Sequence, residues 1–246
     1  MIKSNPIIEI KNLKKSYGSN CVLNGFNMIL NEGENLVIMG KSGSGKSVMI
    51  KCLIGLEEAD SGTITIMGQE ISKLTQEKLD ELRTEVGFLF QGSALYDSMT
   101  VRENLEFPLR RHTKKFGYIK DTSPLVMEAL NNVGLGHTVD LMPEELSGGM
   151  KRRVALARTL ILQPKIILYD EPTTGLDPIT AKEILLLMKS IQEKYNTSAI
   201  IITHDVDCAR VISNRMILLV DGINYAEGTF EELSESSDTK IQAFFK

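Results

Sequence analysis

The sequence is poor in cysteine and in excess charge of either sign, and each of these two shortages argues against a class of protein. Its 246 residues contain three cysteines and no tryptophan. Cys21, Cys52 and Cys208 lie far apart, without the short spacings of a zinc site or a redox pair, so we expect reduced thiols. The net charge of -4 gives no general attraction to nucleic acid or anionic lipid, and we expect no nucleic-acid partner.

Long apolar runs are lacking as well. The longest stretches, around residues 200–202 and 216–220, are far shorter than the roughly 20 residues that cross a bilayer as a helix. We therefore expect neither a membrane span nor a secretion signal, and any membrane association to run through a partner. Hydrophobic residues make up 42% and charged residues 24% of the sequence, which is typical of a soluble globular protein with a substantial core.

The order of the apolar segments predicts an α/β fold. Strand-like runs alternate with helical spacing, which favours a parallel sheet covered by helices on both faces. Between residues 98 and 158 the strand-like runs vanish and helical patterns dominate, which indicates an inserted helical subdomain. The predicted strands cover residues 7–13, 36–39, 64–67, 86–90, 165–169, 198–203 and 216–220, and helices are predicted from residue 47 onward and over 74–82 and 178–194.

A phosphate-binding loop follows the second of these strands and opens a helix, which is the context that this motif requires. Its glycines let backbone N–H groups turn towards phosphates, and the helix start adds its positive dipole end. We expect Lys46 to neutralise the β and γ phosphates and the Ser47 hydroxyl to hold Mg²⁺. The candidate nucleotide-binding residues of the loop are Gly40, Lys41, Ser42, Gly43, Ser44, Gly45, Lys46 and Ser47.

Two acidic residues end a later apolar strand. Residues 166–169 would deliver Asp170 and Glu171 to the carboxyl edge of the sheet, where ligands collect. Asp170 is the predicted Mg²⁺ partner, and Glu171 the predicted base that polarises the attacking water. Many buried strands end in an acidic turn, so this interpretation depends on the phosphate loop being present.

A glycine-rich segment that begins at Leu146 is typical of only one family of phosphate-loop proteins. Leu146 is followed by Ser147, Gly148 and Gly149, and on these residues the sequence resembles the ATP-binding subunits of ABC transporters. In that family the signature begins a helix whose serine and glycine amides bind the γ phosphate held by the opposite subunit. A simple N-capping serine followed by two flexible glycines is the alternative explanation.

The resemblance assigns roles to four further residues and covers essentially the full chain in order. Tyr17 stands where the family places an aromatic ring on adenine, and Gln91 where a glutamine contacts Mg²⁺ and water at the end of strand 86–90. Asp177 matches a loop that communicates across the dimer, and His204 matches the switch histidine at the γ phosphate. With Glu171, the resemblance makes Gln91 and His204 the catalytic candidates.

The family also implies an architecture. We expect one P-loop NTPase domain over residues 1–246, with a RecA-like core (1–97 and 159–246), an N-terminal antiparallel β subdomain and a helical subdomain (98–158). ATP and Mg²⁺ are the implied ligands. A second copy of the chain and an integral-membrane permease are the implied partners, which places the protein on the cytoplasmic face of the inner membrane.

Two segments are more specific than the family motifs. Residues 90–101, continued at 107–110, and residues 141–145 resemble the ATPases of Mla-type, Mce-associated lipid transport systems. This implies phospholipid transport with an Mce-type lipid-binding protein. A regulatory ABC ATPase acting on a cell-wall hydrolase and a transporter of another substrate remain alternatives, as does a non-enzymatic binding module. No heptad repeat of DNA-repair ABC proteins is present, nor a second cassette as in translation factors.

The final segment, residues 234–246, contains a pair of phenylalanines at 244 and 245. We expect them to pack on the core of the same chain, with docking on a second subunit as the alternative.

Overall fold

A computed structural model describes residues 6–112, 117 and 119–246. Ten strands form two sheets in this part of the chain. They are β1 (Pro6–Tyr17), β2 (Asn20–Asn31), β3 (Asn35–Met39), β4 (Ser61–Ile66), β5 (Gln69–Glu70), β6 (Val86–Leu89), β7 (Ile166–Asp170), β8 (Ser198–Thr203), β9 (Arg215–Val220) and β10 (Ile223–Gly228).

Nine α-helices of the described residues cover these sheets. They are α1 (Lys46–Leu53), α2 (Gln76–Thr84), α3 (Val101–Arg111), α4 (Ser123–Asn132), α5 (Gly148–Leu160), α6 (Pro178–Tyr195), α7 (Val206–Ile212), α8 (Phe230–Ser234) and α9 (Thr239–Gln242). Short 3-10 turns cover Ile71–Lys73, Gly136–Thr138 and Pro143–Glu145. The predicted helix 74–82 starts later, as α2, because the Thr75 hydroxyl accepts a hydrogen bond from the Lys78 amide and caps it.

The N-terminal sheet is antiparallel, as predicted, in the order β2-β1-β4-β5. The larger sheet has the order β10-β9-β3-β8-β7-β6, and its strands run parallel except for β10. The predicted parallel sheet is therefore confirmed, and β10 adds an antiparallel edge strand that was not predicted. Asp221 and Gly222 both have positive φ, 51° and 75°, so the chain reverses in a two-residue hairpin turn after β9.

Neighbouring residues of the larger sheet alternate between two hydrophobic cores. Val37 and Ile201 belong to the core on the side of α3 to α6, whereas Leu36 and Ile200 face α1 and the antiparallel sheet. Every residue of β3 and β8 is buried. This two-sided burial explains why the central strands are continuous apolar runs in the sequence.

The register of the parallel strands brings three strand ends to one edge. Met39 pairs with Thr203, and Asp170 pairs with Ile202. The loops that follow β3, β7 and β8 therefore begin side by side, which is where ligands bind in open α/β sheets.

The described residues between 98 and 158 form helices and no strand. Helix α3 begins with a capping box between Thr100 and Glu103. Helix α5 runs through the predicted subdomain limit at residue 158 and ends at Leu160. The division into core and helical subdomain stays a prediction.

The C-terminal phenylalanines pack against the same chain. The rings of Phe245 and Phe230 meet edge to face, with their centroids 5.4 Å apart. Phe244 also packs against the core on the side of α3 to α6. Self-packing of the tail is therefore confirmed. Within the described ranges, no helix combines the length and the apolarity needed to cross a membrane.

Candidate functional site

The loop between β3 and α1 is folded so tightly that glycine is required at two positions. A Cβ atom on Gly40 would lie 2.9 Å from the Leu219 carbonyl oxygen, and one on Gly45 would lie 2.9 Å from that of Val22. Gly45 also has a φ of 103°. The loop is thus wedged between the β9–β10 edge and the β1–β2 hairpin, with Lys41, Ser42 and Gly43 exposed.

The start of α1 is free to bind an anion. Gly45 caps the helix without a side-chain hydrogen bond, and no acidic residue lies in the first turn. The amides of the first turn and the positive end of the helix dipole are consequently available to a phosphate group. Ser47 is exposed in this turn, and the buried Ser44 hydroxyl has no hydrogen-bond partner among the described residues.

Lys46 is held inside the loop. Its Nζ donates to the carbonyl oxygens of Gly40 at 2.6 Å and Lys41 at 3.1 Å, which leaves one N–H of the ammonium group for a ligand. Burial lowers the pKa of Lys46, and the negative charges of Glu171 and Asp170 oppose this effect. Lys46, Asp170 and Glu171 therefore influence one another's charge.

Asp170 lies at the end of β7 and is half-buried. Burial raises its pKa, the adjacent Glu171 carboxylate raises it further, and Lys46 lowers it. The described residues contain no cluster of three or more His, Cys, Asp or Glu side chains suited to a metal. The oxygen donors of Ser47, Asp170 and Gln91 still suit Mg²⁺, which commonly takes few protein ligands and completes its shell with phosphate and water.

Glu171 is fixed by contacts on both sides. Its backbone has a φ of 50°, and its N–H donates to the Ile202 carbonyl at 2.9 Å. Oε2 accepts a hydrogen bond from the Thr174 hydroxyl at 3.1 Å, and Oε1 lies 2.8 Å from Nδ1 of His204. The His204 side chain is 67% exposed and that of Glu171 13%. A carboxylate in this position can accept a proton from a ligand at the open edge of the sheet.

Gln91 lies in a loop, one residue further from the end of its strand than the sequence predicted. Strand β6 ends at Leu89, because the Phe90 carbonyl is taken up by other donors: the guanidinium of Arg152 at 2.7 Å and the Ser93 amide at 3.1 Å. The prediction that the strand extends to residue 90 is wrong. Gln91 is exposed in the loop that follows.

Tyr17 lies at the tip of the β1–β2 hairpin, where it pairs with Asn20, and its side chain is 47% exposed. Its hydroxyl hydrogen-bonds the Glu57 carboxylate, and the Lys15 ammonium lies 5.4 Å from the ring centroid. A cavity of about 600 Å³ is lined by Asn20 and Cys21 of this hairpin, by the exposed P-loop residues, by the β9–β10 turn and by the C-terminal helix. The half-exposed ring of Tyr17 has an open face that can stack on a base.

The signature residues cap a helix. Ser147 Oγ accepts from the Met150 amide at 3.2 Å, and the chain packs so closely that a Cβ on Gly149 would lie 2.6 Å from Thr180 Cγ2. Gly148 is exposed beside Ser147. Within the described part of a single chain, no hydrogen bond joins these residues to the P-loop.

Asp177 is the N-cap of α6, a role that sequence analysis did not assign to it. Its Oδ1 accepts from the amides of Ile179 at 3.1 Å and Thr180 at 3.0 Å. Hydrogen bonds from Thr180 hold the pKa of Asp177 below its ordinary value.

Three further residues that hold the candidate site together were not predicted from the sequence. Thr174 donates a hydrogen bond to Glu171, Glu57 accepts one from Tyr17, and Arg152 donates one to the Phe90 carbonyl, directly before Gln91. Only Arg152 had a local signal. It belongs to a basic run, residues 151–153, which directly precedes the apolar residues 154–157 of α5.

A groove of about 1430 Å³ lies apart from the P-loop, between α2, β6 and α3. Its wall includes Phe90, Tyr96 and Phe107, and the first two are 45% and 44% exposed. The rings of Tyr96 and Phe107 lie 4.9 Å apart, and Arg158 lies 5.7 Å from the Tyr96 centroid. An aromatic surface beside the Gln91 loop is suited to a protein partner.

Comparisons with known proteins agree with this geometry. The family model described as ABC transporter matches residues 23–174. The methionine import ATP-binding protein MetN of Campylobacter jejuni is 38% identical over 97% of this chain and 75% of its own length. The intermembrane phospholipid transport system ATP-binding protein MlaF of Haemophilus influenzae is 38% identical over 98% of this chain and 90% of its own.

A solved structure matches the architecture. It is a dimeric post-hydrolysis state of an ATP-binding cassette bound to ADP and Pi, with a TM-score of 0.81 and 33% sequence identity, over 91% of this chain and 98% of that one.

Proposed function

Because this chain belongs to the ABC transporter family of ATP-hydrolysing subunits, we propose that it powers the movement of phospholipid between bacterial membranes through a separate permease. The observation that carries the ATPase part is the strand register, which brings the loop of Lys46 after β3 and the Asp170–Glu171 end of β7 to one edge of the sheet, on either side of β8. The lipid part rests on residues 90–101 and 107–110, together with the MlaF relative.

In the proposed reaction, the P-loop amides and Lys46 hold the β and γ phosphates of ATP at the start of α1. Tyr17 stacks on the adenine. Ser47, Gln91 and Asp170 hold Mg²⁺, which supplies charge neutralisation on the phosphates when bound. These residues position the nucleotide but move no proton.

Glu171 is the proposed base. Thr174 and His204 fix its carboxylate so that one oxygen can accept a proton from the water that attacks the γ phosphate. His204 is largely exposed and can turn its ring towards the same phosphate. Gln91 orients the water from the neighbouring loop.

Two copies of the chain complete each site. Ser147, Gly148 and Gly149 make no hydrogen bond to their own P-loop in the described residues, and their helix start suits the γ phosphate of a second chain. Asp177 directly follows Leu176, whose side chain would lie 3.9 Å from a Cβ on Gly148. ATP must favour the closed dimer by about 5.5 kcal/mol to change it from rare to dominant. Several charge-assisted hydrogen bonds of about 1.5 to 3 kcal/mol each can supply this.

The permease is proposed to dock in the aromatic groove, which places the protein on the cytoplasmic face of the inner membrane. The segments that resemble lipid-transport ATPases supply part of the groove wall, including Phe90, Tyr96 and Phe107. Movement of a partner in this groove would reach Gln91 directly, since Phe90 precedes it. An Mce-type lipid-binding protein completes the proposed assembly.

Methionine import is the second candidate, favoured by the MetN relative at the same 38% identity. Affinity purification of the tagged chain from gently solubilised native membranes, followed by mass spectrometry, separates the two. We expect a multi-span permease, an Mce-type protein and bound phospholipid. A permease with an amino-acid-binding protein would replace lipid by methionine transport. A permease-like partner with a cell-wall hydrolase would leave the ATPase and remove transport.

A further inference from the structure

Arg152 is the most deeply buried charged side chain in the described part of the protein, with 4% of its surface exposed. It lies on α5, about one turn after the signature residues that begin this helix. Among the described residues no carboxylate pairs with its guanidinium, and its buried Nε has no hydrogen-bond partner. Burying a cation in this way is costly, so its position calls for a reason other than stability.

Its two hydrogen bonds lead to two separate loops of the site. Nη1 donates to the Phe90 carbonyl at 2.7 Å, and Phe90 directly precedes Gln91. Nη2 donates to the Thr174 carbonyl at 3.3 Å, and the hydroxyl of Thr174 holds the Glu171 carboxylate at 3.1 Å. One side chain therefore joins the signature helix to the segments that carry Gln91 and Glu171.

The neighbouring arginine of the same helix makes a different kind of contact. Arg153 forms an ion pair with Glu183 of α6 at 2.5 Å, and the Glu183 side chain is 53% exposed. It touches neither loop in any described hydrogen bond. Arg153 is consequently a matched control, since it has the same chemistry one position further on.

We propose that Arg152 is a positioning residue for ATP hydrolysis, which fixes the Gln91 loop and the Glu171 loop relative to the signature helix. When a γ phosphate binds at the signature residues and moves α5, the hydrogen bonds of Arg152 move the loops of Glu171, the base, and Gln91, which orients the water, together with the helix. The proposal rests on the ATPase function proposed above. It needs no contact between Arg152 and the nucleotide.

The test compares the full-length variants Arg152→Met, Arg152→Lys and Arg153→Met in ATP turnover, nucleotide affinity and thermal unfolding. For Arg152→Met we expect kcat to fall about 100-fold, as misplaced catalytic groups cause, with ATP affinity unchanged within about twofold. Its Tm should stay the same or rise, because a buried unpaired charge is removed. Arg152→Lys should recover part of the kcat loss, and Arg153→Met should match the wild type.

Hydrogen exchange gives a readout that is independent of turnover. In Arg152→Met the amide of Ser93, which shares the Phe90 carbonyl with Arg152, should exchange faster than in Arg153→Met. A kcat for Arg152→Met within about threefold of Arg153→Met would overturn the proposal, as would a kcat loss that follows a lowered Tm. Wild-type protein without ATPase activity would instead remove the proposed function together with this inference.

Discussion

Replacing Glu171 by glutamine tests the assignment of the base with almost no change in shape. The carboxylate accepts one hydrogen bond from Thr174 and contacts His204, and a glutamine amide keeps an acceptor for the first and a donor for the second. Each such bond contributes about 1 kcal/mol net, so the Tm should change by no more than about 4 °C in a chain of this size. What the substitution removes is the ability to accept a proton.

The expected loss of turnover follows from that change. General base catalysis contributes about 100- to 10,000-fold, and we expect kcat of Glu171→Gln to fall by this factor. Because a negative charge near the triphosphate is also removed, ATP affinity should be unchanged or tighter. Bound but unhydrolysed ATP should then hold two chains together.

The assay combines phosphate release with size-exclusion chromatography in ATP and Mg²⁺. Glu183→Gln is the matched control, because it makes the same chemical change at an exposed carboxylate of α6. It should turn over like the wild type and show no extra dimer. A kcat for Glu171→Gln within about threefold of the control, or loss of ATP binding, would show that another group is the base.

Four further predictions concern other parts of the site and fold. Ser147→Arg should abolish ATP turnover while nucleotide binding to the chain's own P-loop persists. The free energy of unfolding should fall by about 1 kcal/mol, because the N-cap of α5 is lost. Loss of nucleotide binding in this variant would contradict the assignment of Ser147 to the site of a second chain. Thiol titration should find Cys21 reactive in the native chain and all three cysteines after unfolding, because Cys52 and Cys208 are buried. Burial raises the pKa of Cys208 to about 12 from 9.0, so stability should fall as pH rises between these values, and less steeply in Cys208→Ala. Asp177→Ala should lower the Tm near neutral pH, whereas Asp177→Asn keeps a side-chain oxygen for the N-cap. The pKa of Asp177 is lower in the folded chain than its ordinary value of 3.8, so the charged carboxylate stabilises the fold above that pH. The difference in Tm between the wild type and Asp177→Asn should therefore vanish as the pH falls below 3.8.

The local motifs could be predicted because each depends on residues that are adjacent in the chain. The P-loop needs glycines next to a helix start, and the buried β7 run places Asp170 at a sheet edge whatever surrounds it. The antiparallel β10 was missed although Asp221 and Gly222 carried the hairpin signal. The end of β6 was misplaced because the Phe90 carbonyl is bound by Arg152, 62 residues away.

The sequence by itself determined the nucleotide-binding chemistry, since a P-loop, an acidic strand end and a glycine signature are short patterns with local physical requirements. The tertiary structure alone decided how these parts act on one another. Thr174 and His204 reach Glu171, Glu57 holds Tyr17, and Arg152 joins two loops through backbone carbonyls. Two of these contacts connect residues 33 and 62 positions apart, and hydrophobic periodicity carries no information about pairings at that range.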